Sequence, residues 1–158
     1  MPEFPIHNSP HFDVREWVDP RTWQMLNVRA AWLIDPVTVH VANVLREIAG
    51  APVVINNWHY ETRRGNQVYK SSGFRSVWDK TGALLSQHRR GTAFDAKVTG
   101  FSPSLIFELI RRNKAAFLNA GLTTLENIAF TPTWVHFDTR PRIAGIHPEN
   151  DFLIVDPA

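Results

Sequence analysis

The chain contains no cysteine, and this absence limits the kinds of site that it can hold. Without thiols it has no disulfides and no thiolate ligands, so a transition-metal site must use histidine, aspartate or glutamate. No run of about 18 apolar residues occurs, and we therefore expect no membrane span. The N-terminus has no basic segment followed by an apolar one, which predicts a protein made in the cytoplasm without a signal peptide.

A strong excess of charge of either sign is also missing. The formal net charge is +2, and the arginine pairs are not interleaved with aromatic residues, so we expect no nucleic-acid partner. The calculated pI near 9.3 would suit an anionic surface such as a bacterial wall. A length of 158 residues with 44% hydrophobic and 20% charged residues predicts one globular domain over 1–158, and we expect a monomer.

Helix and strand signals alternate along the chain and predict an α+β domain. Asp35 can cap a helix whose first residue is Pro36, and apolar residues at helical spacing continue to Gly50, which predicts a helix over 36–49. Residues 59–85 have little periodicity, and such long loops in small domains tend to be functional. Further helices are expected over 20–26 and 103–120, strands over 52–58 (at the centre of the sheet), 91–98 and 133–139, and a surface tail over 141–158.

Two histidines and an aspartate form the pattern with the clearest chemical meaning. His88 and Asp95 lie seven positions apart in "SQHRRGTAFD", and His136 lies on the predicted strand "TWVHFDT". Two imidazoles and one carboxylate, with no fourth protein ligand, are the composition of a catalytic zinc site, although cobalt, manganese or nickel would accept the same ligands. Strand alternation places Trp134, His136 and Asp138 on one face, away from the apolar residues between them.

The same segments resemble motifs of a known group of zinc peptidases. "SQHRRGTAFD" resembles the motif Ser-x-His-x-x-Gly-x-Ala-x-Asp, and "WVHFD" resembles the second-histidine motif, of the D-Ala-D-Ala carboxypeptidases, phage endolysin peptidases and the hedgehog amino-terminal domain. The similarity covers about residues 11–140. It implies a small α+β fold with a central antiparallel sheet flanked by helices, and one zinc ion on that sheet held by His88, Asp95 and His136. It also implies a peptidoglycan peptide as substrate, cut at a D-Ala-containing bond or at the L-Ala-D-Glu bond.

The segment "SSGFRS" is similar to the Ser-Gly-Tyr-Arg segment of this group. The resemblance implies that Arg75 binds the substrate carboxyl group or the polarised carbonyl oxygen, and a guanidinium group has the fork of donors that such a role needs. In most relatives this segment ends the strand that is "VVINNW" here, whereas in this chain "HYETRRGNQVYK" is inserted between them.

The general base is where the chain departs from the resemblance. Many of these peptidases have Glu or Asp three positions before the second histidine, and this chain has Thr133 there. Asp138, roughly 7 Å along the strand from His136, is the first alternative, either as the base or as a partner that orients the histidine. Glu126 and Glu61 are further candidates for the base. Trp58, Trp134 and His59 are also expected near the site.

Two functions follow from these expectations. The first is a zinc-dependent peptidoglycan peptidase encoded by a phage or prophage, since a small wall hydrolase without an export signal fits release by a separate lysis system or delivery in a virion. The alternative is a catalytically inactive metal-binding module on the same fold, with a structural or wall-binding role. Thr133 favours this alternative, because threonine cannot serve as the base.

Overall fold

Helices and one sheet account for the regular structure of residues 9–60 and 67–157, which the computed structural model describes. In this part of the chain there are four α-helices and a five-stranded mixed sheet. None of these helices is long and apolar enough to cross a membrane. The elements are α1 (Pro20–Leu26), α2 (Pro36–Ala49), β1 (Val53–Val54), β2 (Ala93–Val98), α3 (Pro103–Arg112), α4 (Lys114–Ala120), β3 (Thr124–Glu126), β4 (Val135–Asp138) and β5 (Leu153–Val155).

Helix α2 begins at the capping residue that the sequence predicts. The Asp35 carboxylate accepts a hydrogen bond from the backbone N–H of Val37, and Gly50 ends α2 with a left-handed φ of 61°. The predictions of helices over 36–49 and 20–26 are confirmed.

The predicted helix over 103–120 is interrupted in the middle. Asn113 has φ −115° and ψ 29°, and its side-chain amide donates to the backbone carbonyl of Leu109 at 2.8 Å. This local bond competes with helix continuation, as asparagine side chains often do, and divides the segment into α3 and α4.

The strands are ordered β1-β2-β4-β3-β5 across the sheet. The first four pair antiparallel, as expected, but β5 runs parallel to β3, so the sheet is mixed and not fully antiparallel. This edge strand comes from the segment 141–158, for which the sequence predicts a surface tail. Its pairing with β3 buries Phe152, which is 6% exposed.

The segment 52–58 lies at the edge of the sheet, so the prediction of a central strand is wrong. Val53 and Val54 alone pair with β2. Beyond them, the Asn56 side chain accepts from the N–H of Ser72, and the N–H of Asn57 donates to Tyr69 O. The N–H of Asn56 donates to Glu16 O, so this backbone is bonded to a 3-10 helix and a loop and not to a further strand.

One face of the central strands forms the hydrophobic core. Phe94 and Phe137 lie opposite each other on β2 and β4, and their rings stack with centroids 4.8 Å apart. Both are fully buried, as is Leu125 at 2% exposed next to Phe137 on β3. Because side chains alternate along a strand, the residues between these apolar ones project from the other face. That face carries the candidate site.

Candidate metal centre

His88 is held by a short 3-10 helix formed by Gln87–Arg90. The Ser86 hydroxyl caps this turn by accepting from the backbone N–H of His88 at 3.3 Å. Gly91 ends the turn with φ 71°, and a Cβ there would lie 2.0 Å from the backbone oxygen of Leu33. Both the backbone conformation and the close approach require glycine at this position. The turn therefore fixes His88 at the start of β2.

The loop that carries Arg75 is tied to both sides of the site by backbone hydrogen bonds. The N–H of Asp95 donates to Ser72 O at 2.7 Å, and the N–H of Arg75 donates to His88 O at 3.2 Å. The ring Nδ1 of His88 lies 2.8 Å from Gly73 O, and since a carbonyl can only accept, Nδ1 carries the proton. The lone pair of His88 Nε2 is therefore free to bind a metal.

Asp95 and His136 lie directly opposite each other on β2 and β4. Asp95 Oδ1 is 2.8 Å from His136 Nδ1 and 3.3 Å from His88 Nε2, and the two ring nitrogens are 3.2 Å apart. Ligand atoms about 2.0–2.2 Å from a tetrahedral zinc ion lie about 3.3–3.6 Å from one another. The three donor atoms are therefore close enough to one another to bind one metal ion.

Each of the three side chains also contacts a further group on the side away from the other two. Asp95 Oδ2 accepts from Arg75 Nη2 at 3.0 Å, which leaves Oδ1 facing the histidines. His136 Nε2 lies 3.8 Å from the carboxylate of Asp138. The hydrogen bonds from Arg75 to Asp95 and from His88 to Gly73 O are of the kind that orient metal ligands in proteins, and Asp138 adds a charge close to His136.

The electrostatics favour the metal-binding forms of Asp95 and His88 but the protonated form of His136. Burial alone would raise the pKa of Asp95, but His88 and His136 outweigh it and lower that pKa, so the carboxylate is ionised. Burial lowers the pKa of His88 and keeps its ring neutral. Burial would also lower the pKa of His136, but hydrogen bonding to Asp138 and Asp95 raises it to about 9. A metal ion must therefore displace one proton from His136.

The donor atoms lie on the floor of an open cleft of about 510 Å³. Its rim has two exposed apolar side chains, Leu85 and Phe130, which are 76% and 52% exposed. Trp134 lines the cleft, in agreement with its expected position near the site. The lining also contains four charged side chains: Arg75, Glu126, Arg140 and Asp156.

Arg75 reaches the site despite the insertion before it. Besides its ion pair with Asp95, its Nε donates to Ser71 O at 2.7 Å, and its side chain is 11% exposed. A Cβ on Gly82 would lie 2.6 Å from Nη1, so that glycine leaves room for the guanidinium group. The structure therefore brings Arg75 next to the carboxylate of the candidate metal site, and its role in binding substrate stays a prediction.

The candidates for the general base have very different surroundings. Asp138 is fully buried and bonded to the backbone and guanidinium group of Arg140, and it is not among the described residues that line the cleft. Glu126 does line the cleft, and burial raises the pKa of its carboxyl group. Glu61 lies outside the described residues.

Two residues expected near the site lie elsewhere. Trp58 Nε1 donates to Val18 O at 2.8 Å, and the His59 ring packs between Trp58 and Tyr60 with centroids 5.4 and 4.6 Å away. Neither Trp58 nor His59 is among the described residues that line the cleft.

Lys97 is a neighbour of the site that the sequence analysis overlooked. Its Nζ is 3.9 Å from the centroid of the Tyr69 ring and 5.5 Å from that of Trp134. The sequence could have indicated this position, because Lys97 lies two residues after Asp95 and the two therefore share one face of β2.

The arrangement as a whole can hold a divalent cation next to solvent, with charged groups around it. One carboxylate and two imidazoles suit zinc, and the open side of the group gives a small molecule or peptide access to the ion. Comparisons of the chain with protein-family models, with curated proteins and with solved structures found no match.

Proposed function

We propose that the protein is a zinc-dependent peptidase that hydrolyses a peptide bond of bacterial peptidoglycan, in the stem peptide or in a cross-link. The observation that carries the proposal is the convergence of Asp95 Oδ1, His88 Nε2 and His136 Nδ1 at 2.8–3.3 Å on the floor of an open cleft. Structural zinc sites are closed by four protein ligands, whereas catalytic sites have three and keep one position open. Within residues 9–60 and 67–157 the group has three ligands and faces a cleft, which is the arrangement of a catalytic site.

The chain's own residues supply the positioning that such a reaction needs. Zinc bound at this site supplies Lewis acidity, which polarises a carbonyl group and acidifies water. Arg75 holds Asp95 by its Oδ2 and so directs Oδ1 at the histidines. Leu85 and Phe130 on the rim offer apolar contacts to the side chains of a bound peptide.

The choice of substrate rests on the resemblance of the two histidine motifs to those of peptidoglycan peptidases. Two properties are consistent with it. The cleft is open, so that a stem peptide attached to a polymer can enter, and the pI near 9.3 favours adsorption to an anionic wall. The bond cut is either a D-Ala-containing bond or the L-Ala-D-Glu bond. We further propose that the source is a phage or prophage and that the protein acts at the cell wall.

The test is digestion of purified peptidoglycan by the zinc-loaded protein, with mass spectrometry of the products. Walls from several bacteria should be compared, and new amino termini or released D-Ala identify the bond. His136→Ala is the inactive control, and His40→Ala, on the exposed side of α2, is the matched control that should retain activity. The proposal expects one defined product with wild type and His40→Ala, and none with His136→Ala.

A different outcome would favour the alternative function. If the protein binds one zinc ion per chain but releases no product from any wall, it is a metal-binding module without peptidase activity. Thr133, at the position where related peptidases have the base, is the observation in favour of that alternative.

A further inference from the structure

The strand register places a third charged side chain in line with two of the proposed metal ligands. Asp95 on β2 lies opposite His136 on β4. On the other side of β4, Thr124 and Leu125 of β3 lie opposite Asp138 and Phe137. The next position in this antiparallel register places Glu126 opposite His136.

Asp95, His136 and Glu126 therefore form a row across three adjacent strands. They share the face of the sheet opposite to Phe94, Phe137 and Leu125. Side chains directly opposite on neighbouring strands have Cβ atoms about 4.5–5.5 Å apart. The Glu126 carboxylate, at the end of two further carbon–carbon bonds, is within reach of a group bound beside His136. It also lines the cleft that the metal ligands face.

Glu126 differs from the other carboxylates around the site because its oxygens are not engaged. Asp95 is paired with Arg75 and the two histidines, and Asp138 is buried and bonded to Arg140. Asp156 accepts a hydrogen bond from the Asn127 side chain at 3.0 Å. Within residues 9–60 and 67–157, the carboxylate of Glu126 has no hydrogen-bond or ion-pair partner. Among the described carboxylates that line the cleft, it is the one with both oxygens free.

We propose that Glu126 is the general base of the reaction, an inference that rests on the proposed peptidase function. One oxygen of its carboxylate takes a proton from the attacking water as the water oxygen bonds to the carbonyl carbon. The C–N bond of the peptide then breaks, and Glu126 passes the proton to the leaving nitrogen, so that a carboxylic acid and an amine are formed and the glutamate returns to its carboxylate form. This role falls to a residue of β3, ten positions before His136, and needs no acidic group at Thr133.

The test is the kinetics of Glu126→Gln on the peptidoglycan fragment that wild type cleaves. Glutamine has nearly the same shape but cannot take the proton, so kcat should fall at least about 100-fold while KM changes little. Zinc content should remain at one per chain, because the amide replaces no ligand. Glu149→Gln, at an exposed position of the C-terminal segment, is the matched control and should leave both constants unchanged.

A second variant tests the same role independently, in case Glu126→Gln loses zinc or does not fold. Glu126→Asp keeps the charge and shortens the side chain by one carbon, so kcat should fall by at least about tenfold, since proton transfer depends on reach. Wild-type kcat in the Gln variant, or a rise in KM alone, would overturn the assignment and leave the peptidase function intact. Lack of any product from wild type would overturn both.

Discussion

Asp95 and His136 face each other across β2 and β4, with Asp95 Oδ1 2.8 Å from His136 Nδ1 on the face of the sheet away from the core. This pairing explains why the two residues, far apart in sequence, belong to one site. The strands bring together one histidine and one carboxylate, and the turn before β2 adds His88 at 3.3 Å from the same oxygen. A rigid sheet therefore positions two of the three donor atoms.

Arg75 is expected to control metal affinity through Asp95. Arg75 bonds Ser71 O and the Asp95 carboxylate from two separate nitrogens of a rigid planar group, and lysine has no such fork. Arg75→Lys should therefore weaken zinc binding by about 10–100-fold. The measurement is a zinc titration against a chromophoric chelator, with Arg111→Lys on exposed α3 as control. Unchanged zinc affinity together with a higher KM would favour the substrate-binding role that the sequence predicts.

Asp138 is expected to act on His136 and not on the substrate. Its carboxylate is buried and faces His136 Nε2 at 3.8 Å. Asp138→Asn keeps the shape of the side chain but removes the charge, so zinc affinity should fall by about tenfold or more. At saturating zinc, kcat should stay within a few-fold of wild type. Full zinc affinity with a loss of kcat of about 100-fold would instead identify Asp138 as the base.

Gly91 is expected to be essential to the turn that holds His88. Gly91→Ala forces alanine to adopt φ 71° and brings its Cβ to 2.0 Å from Leu33 O, so the backbone must move. Gly100→Ala is the matched control, because Gly100 has φ 82° but no atom lies within 4 Å of a Cβ there. The control should cost about 1–2 kcal/mol, the usual cost of a left-handed conformation. Thermal unfolding should give a clearly lower Tm for Gly91→Ala, and equal values would contradict the clash.

The raised pKa of the Glu16 carboxyl group predicts that the stability of the protein falls as the pH rises. Burial raises its pKa from 4.5 to about 7, so the folded protein holds this proton over a range where the unfolded chain has lost it. Stability from this group is therefore fully present below about pH 4.5 and is lost as the pH rises through about 7. Glu16 Oε2 accepts from the N–H of Asp13 at 2.8 Å, and glutamine can keep that bond.

The corresponding measurement is the Tm of wild type and Glu16→Gln between pH 5 and pH 8. The Tm of wild type should fall relative to that of the variant as the pH rises across this range. Parallel curves would contradict the raised pKa.

The helices near the N-terminus and the residues of the candidate metal site could be predicted because each lies in a short segment with a recognisable pattern. A capping aspartate, a proline and a closing glycine mark α2, and these signals act within the helix itself. The alternation of "WVHFD" places His136 on the polar face of its strand, and a short motif contains both His88 and Asp95. The composition of these two segments and the resemblance of their motifs to those of zinc peptidases were sufficient to select these residues.

The remaining features depend on pairing between distant segments. The parallel strand β5 joins β3 across a gap of more than two dozen residues, and its few residues carry a weak strand pattern. Glu126 reaches the site through its register with β4, which no local pattern encodes. The break at Asn113 depends on one side-chain bond that competes with an otherwise helical pattern.

The central claim, that zinc held by His88, Asp95 and His136 drives hydrolysis of peptidoglycan, is tested most directly by reconstitution. Protein stripped of metal should be titrated with zinc while bound zinc and product release are measured in the same samples, with His88→Ala alongside. Product should rise in proportion to bound zinc and level off at one ion per chain, and the variant should bind none and release none. Product release that is independent of zinc, or one bound zinc ion without any product, would contradict the claim.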